Sequence, residues 1–496
     1  MKSFDQNHLL DKIYVLNPKY ILKNDLKRDL LIGARGEEGV TLFIHSIHAI
    51  ILSFFDNQKS IRENIIKVEE LLSIEKEIIT KFILSLCDNS QKVWLGDDEF
   101  SSQFPERCLI EFHNGLFVKQ YDYRDFIIYN AESDYETPRF FLPVDTILMI
   151  NTKCFTNCGY CYADRHCISD LKIKTERIIQ IIEEARNINM RNFEISGGEF
   201  FLCKDWEIIL KSLLTNGFQP LIPTKVPLNE EIISKISTLG LDRIQISLDS
   251  IDGKVLQEHL QTNLNYIDSI KQTIEMLEKY SVKFRVNSII TSINCQSHYF
   301  DDLIEYLTDF DNLTEISIGN IGYSMYKSYE QNAKYMPKRN EIESLMEYIK
   351  TKYQRNTKVL LSGIGKKEDN FCLSKEKFDK RASCTGNTES FYILPDGKVT
   401  ICEELYWHPK FIIGDLTRQS ILEMWNSNEA IDLYNLSQGQ IGSNSACKNC
   451  SVFNECRRGK GVCYREIMKS YGQDNWDYPD PRCPIAPELK NELAYL

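Results

Sequence analysis

The chain has 496 residues, 43% of them hydrophobic and 26% charged, with 59 basic against 71 acidic side chains and a formal charge of -12. That is too long for one compact domain, so roughly two to four are expected, and the composition is that of an ordinary folded chain. The acidic balance argues against a nucleic-acid partner, whose backbone calls for a basic face.

The start, MKSFDQNHLLDK, is polar and mixed, without the n- and h-regions of a secretory signal. No run approaches the roughly 18 apolar residues of a membrane span. A cytoplasmic protein with no membrane partner is expected. Sixteen cysteines without an export signal do not read as a disulfide framework. Eight of them lie at or beyond Cys372, and clustered thiols in a reducing compartment more often mean metal.

Residues 1–100 read as a first unit. Short apolar runs at Ile13–Leu16, Tyr20–Leu22, Leu30–Ile32 and Val40–Phe43 predict strands, and Ile44–Phe55 an apolar helix. Ser60 is a candidate N-cap, followed by a helical stripe of Ile61, Ile65, Ile66, Val68 and Leu71. A third helix is expected over Ser73–Cys87 and a strand at Val93–Leu95. Strands, three helices and a closing strand suggest a small winged-helix-like module. The order resembles the peptide-recognition domain typified by the chaperone of pyrroloquinoline quinone synthesis. That resemblance implies binding of a leader peptide by strand addition to a sheet edge. A winged-helix DNA binder or a structural cap would show the same order. The helix Ser73–Cys87 carries Glu75, Lys76, Glu77 and Lys81, balanced rather than basic as a recognition helix would be. His45 and His48 sit three apart, and nothing nearby completes a metal site.

Residues 101–143 read as a connecting segment. Cys108–Phe112 and Leu116–Lys119 flank His113-Asn-Gly115, a hairpin signal.

From 144 the texture becomes alternating strands and helices. Strand-like runs lie at Thr146–Ile150, Phe193–Ser196, Pro220–Thr224, Arg243–Leu248, Lys283–Ile290 and Glu315–Ile318, with helices such as Thr175–Ile188 and Ile267–Tyr280 between them. Such units predict a parallel sheet, with ligand chemistry at the C-terminal strand ends. Directly after the first run come Cys154, Cys158 and Cys161, spaced C-x3-C-x2-C, with aromatic Tyr160 before the last. Three thiolates can hold three irons of a four-iron cluster and leave the fourth iron open. Zinc is the rival, and its structural sites want four closed ligands.

The pattern resembles the radical S-adenosylmethionine (SAM) enzymes. Membership implies a partial six-unit TIM-like barrel and SAM on the open iron, cleaved reductively to a 5'-deoxyadenosyl radical. A second motif, Ser196-Gly-Gly-Glu199, lies 36 residues after Cys161 (counted to Gly197). Its glycines permit close backbone approach, and it resembles the family's G-G-E-P motif with Phe200 in place of proline. The resemblance assigns Gly197, Gly198 and Glu199 to the SAM amino group. It also carries Ser247, in Ser247-Leu-Asp249, and Asn287 as SAM contacts. Asp249 reads equally as a strand-end cap. The family's peptide-modifying branch often has an arginine after the fourth strand; here stand Lys254 and His259.

At the C-terminal end, Cys384 is followed by Gly397-x4-Cys402, then Cys447-x2-Cys450-x5-Cys456-x6-Cys463 and Cys483. This is similar to the SPASM auxiliary-cluster domain, except for six residues rather than three before Cys463. The resemblance implies an outer cluster on Cys447, Cys450, Cys456 and Cys483. It implies an inner one on Cys384, Cys402 and Cys463, with Cys372 as fourth ligand or an open iron in its place. Two zinc sites remain the alternative. Cys87, Cys108, Cys167, Cys203 and Cys295 have no assigned partners and suit small buried hydrophobes.

The expected fold class is α/β: a partial (β/α)6 barrel, a winged-helix-like module before it and a cysteine-rich SPASM domain after it. The expected domains are 1–100 for leader recognition, 101–143 as connection, 144–360 as radical SAM core and 361–496 as SPASM domain. The resemblance implies a maturase that installs an intrapeptide crosslink, thioether or carbon–carbon, in a ribosomally made precursor peptide. Its cofactors would be SAM and three 4Fe-4S clusters, and its electron donor a flavodoxin or ferredoxin. Formylglycine formation of the anaerobic sulfatase-maturase type is the near alternative, and a non-catalytic metal-binding regulator the distant one. No catalytic acid or base is named by the sequence.

Overall fold

The structure, a computed structural model, describes residues 3–34, 39–96, 101–116, 118–127, 133–164, 172–362 and 373–491. Cys167 and Cys372 lie outside the described residues. Two compact units divide the chain, Met1–Val144 and Asp145–Leu496.

The first unit opens with α1 (Ser3–Leu10) and β1 (Ile13–Leu16). Then β2 (Tyr20–Asn24), β3 (Asp29–Gly33) and β4 (Thr41–Ile44) form an antiparallel sheet in that order. Helix α2 (Ser46–Ser53) follows, then β5 (Asp56–Ser60), α3 (Ile61–Leu72) and α4 (Lys76–Leu86). Strands β6 (Val93–Gly96) and β7 (Ser101–Phe104) pair with each other, and β5 and β8 (Leu109–Glu111) flank β1.

Ser60 caps α3 as expected. Its hydroxyl accepts from Glu63 N at 3.3 Å while Glu63 Oε2 accepts from Ser60 N at 2.8 Å, the reciprocal capping box. Ile61, Ile65 and Val68 turn inward and meet Ile79, Phe82, Ile83 and Leu86 of α4 in one core. The two histidines serve structure: His45 caps α2 by accepting from Ile47 N, and His48 stacks on Phe82 at 4.8 Å.

Among the described residues the hairpin expected around His113–Gly115 is not seen. Leu116 N still donates to His113 O at 3.2 Å, but β8 takes its partners from β1, in the pairs Tyr14↔Glu111 and Leu16↔Leu109. The segment read as a connection also packs into this unit further on. Arg28, paired with Asp25 at 2.9 Å and almost fully buried, donates to the carbonyls of Thr137 at 2.7 Å and Arg139 at 3.1 Å.

In the second unit the expected strands are all present: β9 (Asp145–Met149), β10 (Asn192–Ser196), β11 (Ile222–Thr224), β12 (Arg243–Ser247), β13 (Lys283–Ile290) and β14 (Leu313–Asn320). Further strands are β15 (Val359–Ser362), β16 (Ser390–Ile393), β17 (Lys398–Thr400) and β18 (Ile412–Asp415). A parallel sheet runs β11-β12-β13-β14-β15; a mixed one runs β10-β9-β16-β17-β18, with β17 and β18 antiparallel to their neighbours. Among the described residues no ladder joins β10 to β11, so the α/β core is a partial barrel. Intervening helices bury one stripe each, for example Ile178, Ile181, Ile182 and Ala185 of α5 (Thr175–Asn187). One apolar core holds both sheets together. No helix of the described residues is long and apolar enough to cross a membrane.

The C-terminal region does not hang off this barrel. β16 lies parallel to β9, from Ser390↔Asp145 to Ile393↔Leu148, so the cysteine-rich segment continues the core sheet. Parallel register brings the strand ends level: Ser196 stands by Met149, Thr224 by Ile246, and Ser247 by Asn287.

Candidate functional site

The loop after β9 is fastened to the turn after β10. Asn151 Nδ2 donates to Glu199 O at 2.9 Å, Gly198 N to Asn151 O at 2.7 Å, and Glu199 N to Lys153 O at 2.7 Å. A side chain at Gly198 would put its Cβ 1.9 Å from Lys153 O, and Gly197 adopts φ +110°. Both glycines are therefore required by the approach of the cysteine loop itself.

Within that loop Cys154 is exposed, and Cys158 and Cys161 are partly buried. The Cys158 sulfur lies 3.1 Å from Thr156 Oγ1. Asn157 N and Gly159 N donate to the carbonyls of Leu260 and His259, each at 2.9 Å, so the end of the helix Gly253–Leu260 holds the loop. The Tyr160 hydroxyl donates to Asp249 Oδ2, and Asp249 Oδ1 accepts from Ile289 N at 2.9 Å. His259, fully buried, is edge-on to Tyr160 at 5.5 Å and shares a 2.7 Å hydrogen bond with Thr291 Oγ1. Asp249 is thus a support of the loop. Of the two residues standing where an arginine was sought, His259 goes into this support and Lys254 stays exposed.

Glu199 is 5% exposed. Its Oε2 accepts from Thr224 Oγ1 at 2.7 Å and its Oε1 from Lys225 N at 3.0 Å. Burial pushes its carboxyl pKa up, and the two hydrogen bonds oppose that rise. A carboxylate so held, beside a backbone stripped of side chains, fits an ammonium ligand. Ser247 and Asn287 reach the same rim, half-buried. Lys225 was not signalled by any motif, although it directly follows β11 at this rim. Its ammonium lies 5.8 Å from the Tyr160 ring. Burial works against its charge, but Asp249, Cys158 and Glu199 outweigh burial and hold its pKa above the ordinary lysine range.

The described cysteines from Cys384 onward gather in two places. Cys384, Cys402 and Cys463 all lie within electrostatic reach of the Arg465 guanidinium. Burial pushes the Cys402 and Cys463 thiols up to about 12. Cys447, Cys450, Cys456 and Cys483 line one cavity of about 650 Å³. Among the described residues no three Cys, His, Asp or Glu side chains crowd round a point as a single ion requires. Four cysteines on one cavity are a thiolate donor set of the kind that holds an iron-sulfur cluster. Cys87 and Cys108 sit in the first unit's core, where burial raises the Cys87 thiol to about 12. Cys203 and Cys295 pack against the second unit's core.

One segment ties the first cysteine loop to the Cys402 turn. Ser324 Oγ donates to Tyr162 O at 2.9 Å, and the Tyr326 hydroxyl donates to Glu404 O at 2.6 Å. Met149, Leu394 and Tyr406 pack together beneath that bridge, with Tyr326 and Ala163 against them.

Comparison with known proteins accords with this geometry. Residues 148–307 match the Radical SAM superfamily, and residues 384–451 match an iron-sulfur cluster-binding domain, SPASM. A probable GTP 3',8-cyclase of Pyrococcus abyssi is 29% identical over 162 residues, 31% of this chain and 49% of that protein. The PqqA peptide cyclase of Granulibacter bethesdensis is 21% identical over 353 residues, 70% of this chain and 88% of that protein. The chain spans about half the length of the first of these curated relatives. Streptococcus suis SuiB bound to the precursor peptide SuiA superposes with a TM-score of 0.64 at 14% identity, covering 94% of this chain and 98% of that one. At that identity the likeness is one of fold.

Proposed function

We propose that this chain, which carries a radical SAM superfamily domain followed by an iron-sulfur cluster-binding domain, is an enzyme that crosslinks a ribosomally made precursor peptide. The observation that carries the reading is the fastening of the three-cysteine loop to the Gly197-Gly198-Glu199 turn, with two further cysteine sets in the same unit. A metal-binding regulator needs no such joint.

Cys154, Cys158 and Cys161 would hold the SAM-binding cluster, and Glu199, the Gly197–Gly198 backbone, Ser247 and Asn287 would hold SAM. Cys384, Cys402, Cys463 and Cys372 would hold an inner auxiliary cluster, and Cys447, Cys450, Cys456 and Cys483 an outer one. Bound there, cluster and SAM supply hydrogen abstraction from carbon, chemistry that belongs to the cofactor. Glu199 orients SAM through a charge fixed by Thr224 and Lys225 N. Tyr160, Asp249 and His259 keep the cluster loop in place.

The first unit supports a peptide partner by its β2-β3-β4 sheet, whose outer strand β4 exposes Thr41 and Phe43. Main-chain addition there would seat a leader segment. The relatives named above as a peptide cyclase and a precursor-peptide complex point the same way. A flavodoxin or ferredoxin would supply the electron. A thioether or a carbon–carbon bond is the proposed product, and formylglycine formation is the competing one.

Anaerobic reconstitution with iron and sulfide, followed by SAM, dithionite and the peptide encoded beside this chain, tests the reading. The expected result is 5'-deoxyadenosine together with loss of a hydrogen pair from the peptide. Zinc-filled protein with no SAM cleavage would overturn it, and an aldehyde product would select the competing reaction.

A further inference from the structure

Two arginines with no carboxylate partner among the described residues are buried against the four-cysteine cavity. Arg381 is 7% exposed and Arg457 8%. Arg381 Nη2 donates to Cys456 Sγ at 3.2 Å and to Gly461 O at 2.7 Å. Arg457 Nη2 donates to Cys447 Sγ at 3.4 Å and to Tyr478 O at 3.1 Å. Both line the cavity together with Cys447, Cys450, Cys456 and Cys483. Each also keeps an orphaned buried N–H group, Nε of Arg381 and Nη1 of Arg457. A buried guanidinium is costly without an anion and acceptors for its protons. Cysteines bound to a cluster would supply the anions, and its inorganic sulfides the acceptors that would meet the orphaned groups.

The inner set is built differently. Arg465, the guanidinium near Cys384, Cys402 and Cys463, is engaged by Glu404 at 3.0 Å and Glu466 at 2.9 Å. No arginine N–H···S bond to those three sulfurs occurs among the described residues.

We propose that Arg381 and Arg457 are positioning residues that raise the reduction potential of the outer cluster and make it the electron acceptor of the reaction. This rests on the reading that Cys447, Cys450, Cys456 and Cys483 hold a four-iron cluster. Reduction adds one negative charge to the cluster core. Two guanidiniums bonded to its sulfurs stabilise that charge, and hydrogen bonds to sulfur are among the factors that set such potentials. The electron balance follows from the chemistry above. An X–H group closing onto a substrate carbon radical forms the X–C bond, releases one proton to solvent and gives up one electron. A cluster held by Cys447, Cys450, Cys456 and Cys483 would supply the acceptor for that one electron.

The test is a potentiometric titration of the reconstituted full chain, followed by electron paramagnetic resonance, for wild type, Arg381→Met, Arg457→Met and the two lysine variants. Each methionine variant is expected to move one cluster to lower potential and leave the others in place, the double variant moving it further. Lysine, which keeps the charge without the fork, is expected to restore part of the shift. An unmoved potential in variants that retain full iron, or an equal shift of every cluster, overturns the tuning. If methionine variants lose iron, the lysine variants decide by the same criterion. A Cys447→Ala, Cys450→Ala protein with wild-type iron content would instead remove the cluster on which the proposal rests.

Discussion

Thr224, the last residue of β11, donates its hydroxyl to Glu199 Oε2 at 2.7 Å, across from the Lys225 N–H on Oε1 at 3.0 Å. The carboxylate proposed to hold SAM thus accepts from two consecutive residues at the end of β11, which oppose the upward push of burial on its pKa. Hydrogen bonds to charged groups are worth about 1.5–3 kcal/mol. Thr224→Val is expected to weaken SAM binding roughly tenfold to a hundredfold, and Glu199→Gln at least as much. Equilibrium dialysis on reconstituted protein measures both. Unchanged affinity in Thr224→Val would separate Glu199 from the ligand.

Gly198→Ala is a sharper probe of the joint. Its Cβ would meet Lys153 O at 1.9 Å and Asn151 Oδ1 at 2.5 Å, a backbone carbonyl and a side chain bonded to Lys153 N, neither of which can yield without moving the cysteine loop. The variant is expected to lose about four irons, one cluster's complement, while the auxiliary signals persist. Full iron content in Gly198→Ala would show that the loop tolerates displacement.

The cysteine loop, the Gly-Gly-Glu turn and the barrel strands were legible because each is local: a spacing, a tripeptide, a run of apolar residues. Three things were not. β5, Asp56–Ser60, is polar throughout, because an edge strand needs only backbone pairing and leaves no apolar pattern. β16 joins β9 across 245 residues, with Ser390 beside Asp145, and its pairing carries no local sign. Lys225, Arg381 and Arg457 gain their meaning from what surrounds them, so a lone lysine after Thr224 or an arginine after Cys456 looks ordinary in the chain.

Lys225 itself leads to a prediction. Residues 248–265 hold no arginine, and Lys225 is the cation coupled to Cys158, Asp249 and Glu199 at the rim. A ligand bearing a carboxylate beside its ammonium would find its counter-charge there. Lys225→Met is expected to weaken SAM binding and to narrow the preference for SAM over its decarboxylated analogue, with Lys225→Arg restoring both. A preference unchanged by Lys225→Met would assign the lysine to balancing Asp249 and Glu199 alone.

The first unit carries two opposed titrations. Burial pushes Asp29 up to about 6 from an ordinary 3.8, so the folded state holds a proton that the unfolded state releases. Stability from this group is complete below 3.8 and is lost as pH rises through about 6. Burial pushes His48 down to about 4 from 6.5, so here the unfolded state binds the proton. Stability from His48 is complete above 6.5 and is lost as pH falls through about 4. Each swing is about 3 kcal/mol at 1.36 kcal/mol per unit, with opposite sign over nearly the same range. Wild type should therefore show little pH dependence in this unit between those limits from the pair. Asp29→Asn should leave stability rising with pH, and His48→Gln should leave it falling. Hydrogen exchange of α2 and β3 amides in the full chain reads both slopes. Slopes of the same sign in the two variants would show that the two groups do not titrate against each other.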